Sequence, residues 1–466
     1  MNMKFLKVLS GIAFCVGANF LLLNPARADF DLAMSYYTKG EMAKAYREFL
    51  EAASFGDHQA QYNVGAMYYR GEEVAKDALQ AYAWFSVSAQ DPTLTSGDLA
   101  KRVYARFTDQ QKAEADAILA KLMEKYSDAN VERSLTPIFT GGSELTEQFR
   151  ALKKVIPEYP ISMLRVGRSG FVDVFYSVGE DGTTRDFIVY YASDKAFERE
   201  AIDALRQWQY QPLVVDGKPK IVNGLKNRFQ FYMEGGKYNI KKLKSITAEL
   251  KAEAEKGDAR KQLEYAYLID SIPSFTDEFV PEDNPNEWYE KSASSGSSIA
   301  SYLLGRNILY GTMCTADSHK GMGWLLKAAH QNLTNAQYAL ALEALSGARF
   351  EKDINKGFYW MRKAARVNTA AQMRLAWLLT TNPDEKIRNL AEAEESLAKI
   401  DEDSIYDKQT LYQVRAAVAA EKGDFKQALK WEQKTRSDAK SLDLPLTHID
   451  KRIASYKAKQ PWREAI

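Results

Sequence analysis

The sequence predicts an α+β protein in which a helical repeat solenoid flanks a small three-stranded sheet with one helix packed across it. Two observations lead to this fold class. A helical pattern recurs at a fixed spacing on both sides of residues 140–235, and two runs of alternating apolar and polar residues lie inside that segment. The chain has 466 residues, of which 45% are hydrophobic, so it is long enough to fold into several domains.

Residues 1–28 have the pattern of a secretory signal peptide. Two lysines precede an apolar stretch, and Ala26-Arg27-Ala28 is a small-x-small cleavage site. We therefore expect cleavage between Ala28 and Asp29 and release into the periplasm. The alternative is an uncleaved membrane anchor, which the length of the apolar stretch barely allows.

The charge balance is close to neutral. The chain carries 63 Lys and Arg against 62 Asp and Glu, and removal of residues 1–28 takes away three basic residues, which leaves a net charge of −2. This balance does not favour nucleic acid or anionic lipid. Cys15 lies in the signal segment, so Cys314 alone remains after cleavage and an internal disulfide is excluded.

A repeated spacing of aromatic and small residues marks helical units in both flanks, which we place at residues 29–135 and 238–440. Each of three windows contains Ala-x-Tyr, then eight residues, Gly, twelve residues and Trp. The pattern predicts two antiparallel helices per unit, in which Gly ends the first helix and the aromatic rings fill the space between units. The signature residues are Tyr62, Gly71 and Trp84; Tyr302, Gly311 and Trp324; and Tyr338, Gly347 and Trp360.

These units resemble Sel-one-like repeats, which are related to tetratricopeptide repeats. Degenerate units surround them, and Leu411 to Thr435 is most similar to an ordinary tetratricopeptide unit. We expect residues 441–466 to form a helical tail. A solenoid of this kind presents a concave groove, lined by the first helices of its units, that suits a peptide or a partner domain. The aromatic residues are interpreted as core and not as a ligand platform.

The central segment begins with two extended runs. Val172, Val174, Tyr176 and Val178 alternate with other residues, and a second run follows the Asp181-Gly182 turn. Two such runs joined by a short Gly-containing loop predict an antiparallel hairpin with one buried face.

One helix and a third strand complete the predicted sheet. Lys195 to Trp208 has a single apolar stripe, and we expect Pro212 to end that helix. The run from Lys226 to Met233 is the third strand. Pro137–Ser143 and Gly235-Gly236 are the expected joints to the flanking repeats.

Several motifs of the central segment occur in a fixed order. They are Pro-x-Tyr-Pro at residues 157–160, Gly-x-Val-x-Val on the first strand, Asp-Gly at the turn and Trp-x-Tyr-x-Pro after the helix. Together they resemble the C-terminal domain of TonB-type energy transducers. The resemblance implies an open sheet edge that accepts an extended partner segment. By position, the partner-binding residues would be Tyr159, Pro160, Asn227, Arg228, Phe229, Gln230 and Phe231.

The chain departs from the transducer pattern in two places. Leu164 stands where transducers that engage outer-membrane receptors have Gln, and the 13 prolines are scattered with no Pro-rich spacer. We therefore expect the domain to bind partners without energy transduction.

No catalytic signature is present in the sequence. It lacks a nucleophile elbow, a P-loop, a dinucleotide glycine pattern and a zinc-protease motif, so we expect neither enzymatic activity nor a cofactor. A metal site is a minor alternative, because Cys314, His319 and His330 lie close together in the sequence. Their spacing, however, matches no usual zinc arrangement.

These observations predict a periplasmic, non-enzymatic interaction protein of a Gram-negative bacterium. Its expected partners are envelope proteins, either an outer-membrane receptor or a periplasmic segment, with membrane contact only through a partner or an uncleaved signal. One alternative is a TonB-type transducer, or an accessory to it, for outer-membrane uptake. Another is a regulator of an envelope enzyme.

Overall fold

The computed structural model describes residues 28–136, 139–143, 150–215, 218–232, 240–347, 352–402, 405 and 407–464. Residues 1–27 of the expected signal peptide, the expected Gly235-Gly236 joint and Met233 lie outside these residues. Over the described ranges, no helix combines the length and the apolar character needed to cross a bilayer.

The N-terminal array consists of antiparallel helices. Gly71 ends α3 with a left-handed φ of 77°, as the repeat pattern predicts, because this conformation strains any residue with a Cβ. Thr108 and Gln111 form the capping box at the start of α6. The helices are α1 (Ala28–Thr38), α2 (Met42–Ser54), α3 (His58–Arg70), α4 (Ala78–Ser88), α5 (Ser96–Tyr104), α6 (Asp109–Tyr126) and α7 (Asp128–Leu135).

The central segment contains an antiparallel three-stranded sheet in the order β4-β3-β8, which confirms the predicted sheet. Two short pairs, β2 with β5 and β6 with β7, lie beside it. The elements are β1 (Phe139–Ser143), β2 (Ala151–Lys153), α8 (Ile161–Arg165), β3 (Gly170–Val178), β4 (Thr184–Ala192), α9 (Lys195–Leu205), β5 (Gln209–Tyr210), β6 (Leu213–Val215), β7 (Lys218–Lys220) and β8 (Val222–Phe231).

One face of the sheet packs against α9. Phe197 and Leu205 of the helix are fully buried against Val174 of β3 and Phe229 of β8. The opposite face is also covered, since all nine residues of β3 are buried. The prediction of one buried face is therefore wrong, and the reason is that the C-terminal repeats pack on the second face.

The helix of the central segment ends earlier than predicted. It stops at Leu205, well before Pro212, and Arg206 caps it. Gln209 and Tyr210 instead form β5, which pairs with β2. The chain therefore leaves the helix before Pro212 in order to pair with β2, and the missing N–H of Pro212 is not what ends the helix.

The C-terminal array continues the helical pairs. Its helices are α10 (Ile240–Ala254), α11 (Ala259–Ser271), α12 (Pro285–Ser294), α13 (Ser298–Tyr310), α14 (Ser318–His330), α15 (Thr334–Ser346), α16 (Ile354–Ala364), α17 (Thr369–Thr381), α18 (Leu390–Ala398), α19 (Lys408–Glu421), α20 (Phe425–Ser441) and α21 (Thr447–Lys457). A 3-10 turn (Ile272–Ser274) follows α11, and β9 (Thr312–Cys314) follows α13.

The repeat signature positions have the structural roles that the sequence predicts. Gly311 and Gly347 end α13 and α15 in the left-handed conformation, each with φ 63°. Trp324 and Trp360 are buried, with 0% and 2% of their surface exposed. Trp84, Tyr302 and Tyr338 are buried as well, and Tyr62 is half-buried.

The two arrays contact each other directly. The indole N–H of Trp324 donates to the carbonyl oxygen of Leu135 at 3.0 Å, and Lys320 Nζ donates to Thr136 O at 2.9 Å. Strand β1 pairs with β9. Part of the expected joint at Pro137–Ser143 is therefore a strand that is bonded to the C-terminal array.

Candidate functional site

Strand β8 lies at one edge of the sheet. It pairs with β3 in a continuous register from Gly170↔Phe231 to Tyr176↔Leu225. Phe229 and Phe231 point into the core beside α9, and the alternate side chains face the C-terminal array. Both the edge position and the alternation agree with the sequence prediction.

The register shows which backbone groups of β8 point away from the sheet. The N–H and C=O of Phe171 both bond to Ser193, on the β4 side of β3. Phe171 and Gln230 are therefore a non-hydrogen-bonded pair, and the N–H and C=O of Gln230 point outward. By the same alternation the backbone groups of Lys226 and Arg228 also point outward.

These outward groups have no backbone partner in the part of the chain that the structure describes. The N-terminal end of β8 is different, because Asn223 Nδ2 donates to Leu342 O at 3.3 Å. Gly224 has φ 77°, and a Cβ there would lie 1.8 Å from the Tyr310 ring. The repeats therefore cover the start of β8, and they leave its backbone edge uncovered from Lys226 to Gln230.

Tyr159 and Pro160 lie at the end of β8 and not along its edge. The Tyr159 ring packs edge-on against Phe197 and Phe231, with centroid distances of 5.9 and 6.1 Å. Its hydroxyl donates to Arg168 O at 2.7 Å, and Pro160 is buried. The Pro-x-Tyr-Pro motif thus packs over the end of the core next to the last residues of β8.

A buried ion pair joins β3, β8 and the repeats. Arg228 Nε and Nη2 donate to the two carboxylate oxygens of Asp173, each at 2.6 Å, and the Tyr267 hydroxyl of α11 donates to the same carboxylate. The Asp173 side chain is fully buried and that of Arg228 is 8% exposed. Burial alone would lower the pKa of Arg228, but Asp173 holds that pKa well above its ordinary value.

A second ion pair lies two residues earlier on β8, at Lys226. Lys226 Nζ donates to Asp270 Oδ2 of α11 at 2.8 Å. Burial disfavours the ionised Asp270 carboxylate, but Lys226 and Arg228 outweigh this effect and keep the pKa of Asp270 below its ordinary value. Asp270 is therefore charged at neutral pH, and it holds the Lys226 side chain in place.

The far end of the central segment is fixed to the last repeats. Arg206, which follows α9, lies 3.2 Å from Asp407 and 2.5 Å from Asp438. Lys153 of β2 lies 3.1 Å from Asp443, beyond α20. The central segment is thus attached to the array at both ends.

The sheet packs on the first helices of the C-terminal repeat units, the face that was expected to bind partners. Tyr302 packs edge-on against Phe175 at 5.8 Å, and Tyr338 donates to Asp186 Oδ1 at 3.0 Å. The expectation of an open groove along these first helices is therefore wrong. The signal that was missed is Phe171 and Phe175, two aromatic residues on the strand face that was assigned to solvent.

A groove lies between β4 and the C-terminal repeats. Its volume is about 1260 Å³, and it is lined by β4 together with helices α15, α17, α19 and α21. The side chains that line it include both acids and bases, such as Asp186, Arg185 and Arg374.

The residues considered for a metal site do not come together. Cys314 is fully buried, the His319 ring lies 5.3 Å from Phe55 and the His330 ring stacks on Trp360 at 6.0 Å. Among the residues described here, no three His, Cys, Asp or Glu side chains are grouped so as to hold a metal ion.

Family models match two parts of the chain. Residues 156–233 match the Gram-negative bacterial TonB protein C-terminal family. Residues 58–91, 286–297, 298–333 and 334–368 match the Sel1 repeat. Both families are interaction modules, and no curated protein sequence matches the chain significantly.

Solved structures with similarity to the chain come from both classes. A Sel1 repeat protein from Oxalobacter formigenes is 15% identical over 78% of this chain and 96% of its own, with a TM-score of 0.26. A protective antigen of uropathogenic Escherichia coli with an SLR fold is 19% identical over 94% and 87%, with a TM-score of 0.30. The Pseudomonas aeruginosa TonB C-terminal domain is 27% identical over 21% and 97%, with a TM-score of 0.19.

Proposed function

We propose that this chain is a non-enzymatic periplasmic protein that binds an extended segment of an envelope protein along the free edge of β8. The observation that carries the proposal is the set of outward backbone groups at Lys226, Arg228 and Gln230, which have no backbone partner among the described residues. An edge strand with such groups is a template for an added strand. The helical arrays then hold the sheet in position.

Binding at this edge does not require energy transduction. The sheet is fixed to the repeats through the Tyr267–Asp173 hydrogen bond and through Arg206 and Lys153, so the partner would meet a rigid platform. Because the side chains of Lys226 and Arg228 are engaged by acids, main-chain hydrogen bonds would supply most of the affinity. Tyr159 and Pro160 would support the edge by fixing the end of β8.

Replacing Gln230 with proline should abolish capture of the partner while the thermal melt changes little. Proline removes an N–H that points outward, so the ladder to β3 stays intact. Cross-linking pull-downs from intact envelopes measure capture. The matched control is Gln230→Ala, which loses the side-chain bond to Ser274 O but keeps the backbone N–H. Undiminished capture by Gln230→Pro would refute strand addition at β8.

The periplasmic location rests on the N-terminal segment. We expect the mature protein to start at Asp29, because Ala26-Arg27-Ala28 fits the cleavage-site pattern. Mass measurement of the N terminus of periplasmic protein tests this expectation. A membrane-bound species that retains residues 1–28 would favour an anchored transducer instead.

A further inference from the structure

Residues 152–166, which we call the apolar segment, expose several large aliphatic side chains. Leu152, Ile161, Leu164 and Val166 are 53–66% exposed, and Ile156 is 87% exposed. Single exposed aliphatic residues are normal on a protein surface, but a run of them on one segment marks an interaction surface.

The apolar segment is held in a fixed shape and is not a loose loop. The Tyr159 hydroxyl bonds to Arg168 O at 2.7 Å, and Arg168 N–H donates to Met163 O at 3.0 Å. These bonds close the chain around the short helix α8, and the Tyr159 ring anchors it on Phe197. The aliphatic side chains of α8 are therefore presented outward at the tip of a closed loop.

The chemistry of the apolar segment favours lipid over protein. Its exposed apolar residues are all Ile, Leu or Val, whereas protein interfaces depend on Trp, Tyr and Arg, with Leu and Val under-represented at hot spots. Binding at the interfacial region of a bilayer grows with the apolar area that is buried and with the attraction of basic residues to anionic lipids.

Basic side chains accompany the aliphatic residues. Lys154 and Arg165 are exposed on the segment, and Glu158 is its one exposed acid. Arg165 makes no hydrogen bond or ion pair within the described chain, and it follows Leu164 directly. A free guanidinium beside inserted aliphatic side chains is suited to an anionic headgroup.

We infer that the apolar segment docks the protein on an anionic lipid surface, with Ile161, Leu164 and Val166 inserted and Arg165 at the headgroups. This contact with lipid is direct, and it is independent of the edge of β8. It goes beyond the expectation that the chain reaches a membrane only through its partners.

Co-sedimentation of the purified protein with vesicles tests the inference. We expect binding to phosphatidylglycerol vesicles and weaker binding to phosphatidylcholine vesicles. Leu164→Asp should weaken binding to phosphatidylglycerol by about tenfold or more. The change removes an inserted apolar side chain and adds a negative charge, which the anionic headgroups repel. Arg165→Glu should weaken it too, and raised salt should reduce binding by the wild type.

Matched controls make the outcome decisive. Val367 is 74% exposed in the turn between α16 and α17, outside the apolar segment, so Val367→Asp should bind vesicles as the wild type does. All three variants should melt like the wild type, because the changed side chains are exposed. No vesicle binding, or equal binding by Leu164→Asp, would overturn the inference. Equal binding to both lipids would contradict the role of Arg165. If the wild type formed a dimer and Leu164→Asp did not, the apolar segment would bind a second copy of the chain and not lipid.

Discussion

Replacing Trp324 with alanine should lower the free energy of unfolding by about 3–5 kcal/mol. The side chain is fully buried in α14, and its indole N–H bonds to Leu135 O in the other array. The change would therefore create a cavity and also leave a buried carbonyl group without its donor. Denaturant melts that follow helical circular dichroism measure the effect.

Two variants separate the contributions at this position. Trp324→Phe keeps most of the apolar volume but loses the bond to Leu135, so it should fall between the wild type and the alanine variant. Trp360→Ala removes a ring of similar burial, and it should cost about the same as Trp324→Ala. A nearly neutral result for either alanine variant would contradict the assigned repeat units.

Replacing Arg228 with alanine is expected to cost about 3–5 kcal/mol, because it leaves the buried Asp173 carboxylate without its cation. The Tyr267 hydroxyl alone cannot neutralise that charge. Chemical denaturation of Arg228→Ala, Asp173→Ala and the double variant gives the coupling between the two residues. The double variant should be more stable than the sum of the single losses implies.

An exposed ion pair on the same chain is the control for this experiment. Lys399 and Glu395 lie 2.9 Å apart, and their side chains are 47% and 69% exposed. Lys399→Ala should change stability by less than about 0.5 kcal/mol, because water screens such pairs. If Arg228→Ala were as mild as Lys399→Ala, the buried ion pair would not stabilise the fold.

Local sequence patterns predicted the elements well, since the information for each lies in neighbouring residues. The glycines at 71, 311 and 347 end their helices as expected because only the local backbone conformation matters there. The alternation in β8 likewise predicted which side chains face α9.

The packing of the sheet on the repeats was not predicted, because it depends on residues far apart in the sequence. Asp173 and Tyr267 are 94 positions apart, and nothing in either neighbourhood indicates the contact. The role of Gly224 was not predicted either: it has no side chain, and this leaves room for the Tyr310 ring. For the candidate site, the sequence predicted the edge strand but not that the repeats cover its first residues.

The direct contacts between the two arrays change how the molecule should fold. An isolated solenoid is held by neighbouring units alone, so it can nucleate and fray locally. Here Trp324 bonds to Leu135 across 189 positions and Lys320 bonds to Thr136 across 184. Such a high contact order slows folding and couples the ends into one cooperative transition. The N-terminal units therefore complete their packing only when α14 of the C-terminal array is present, so the two arrays should unfold together.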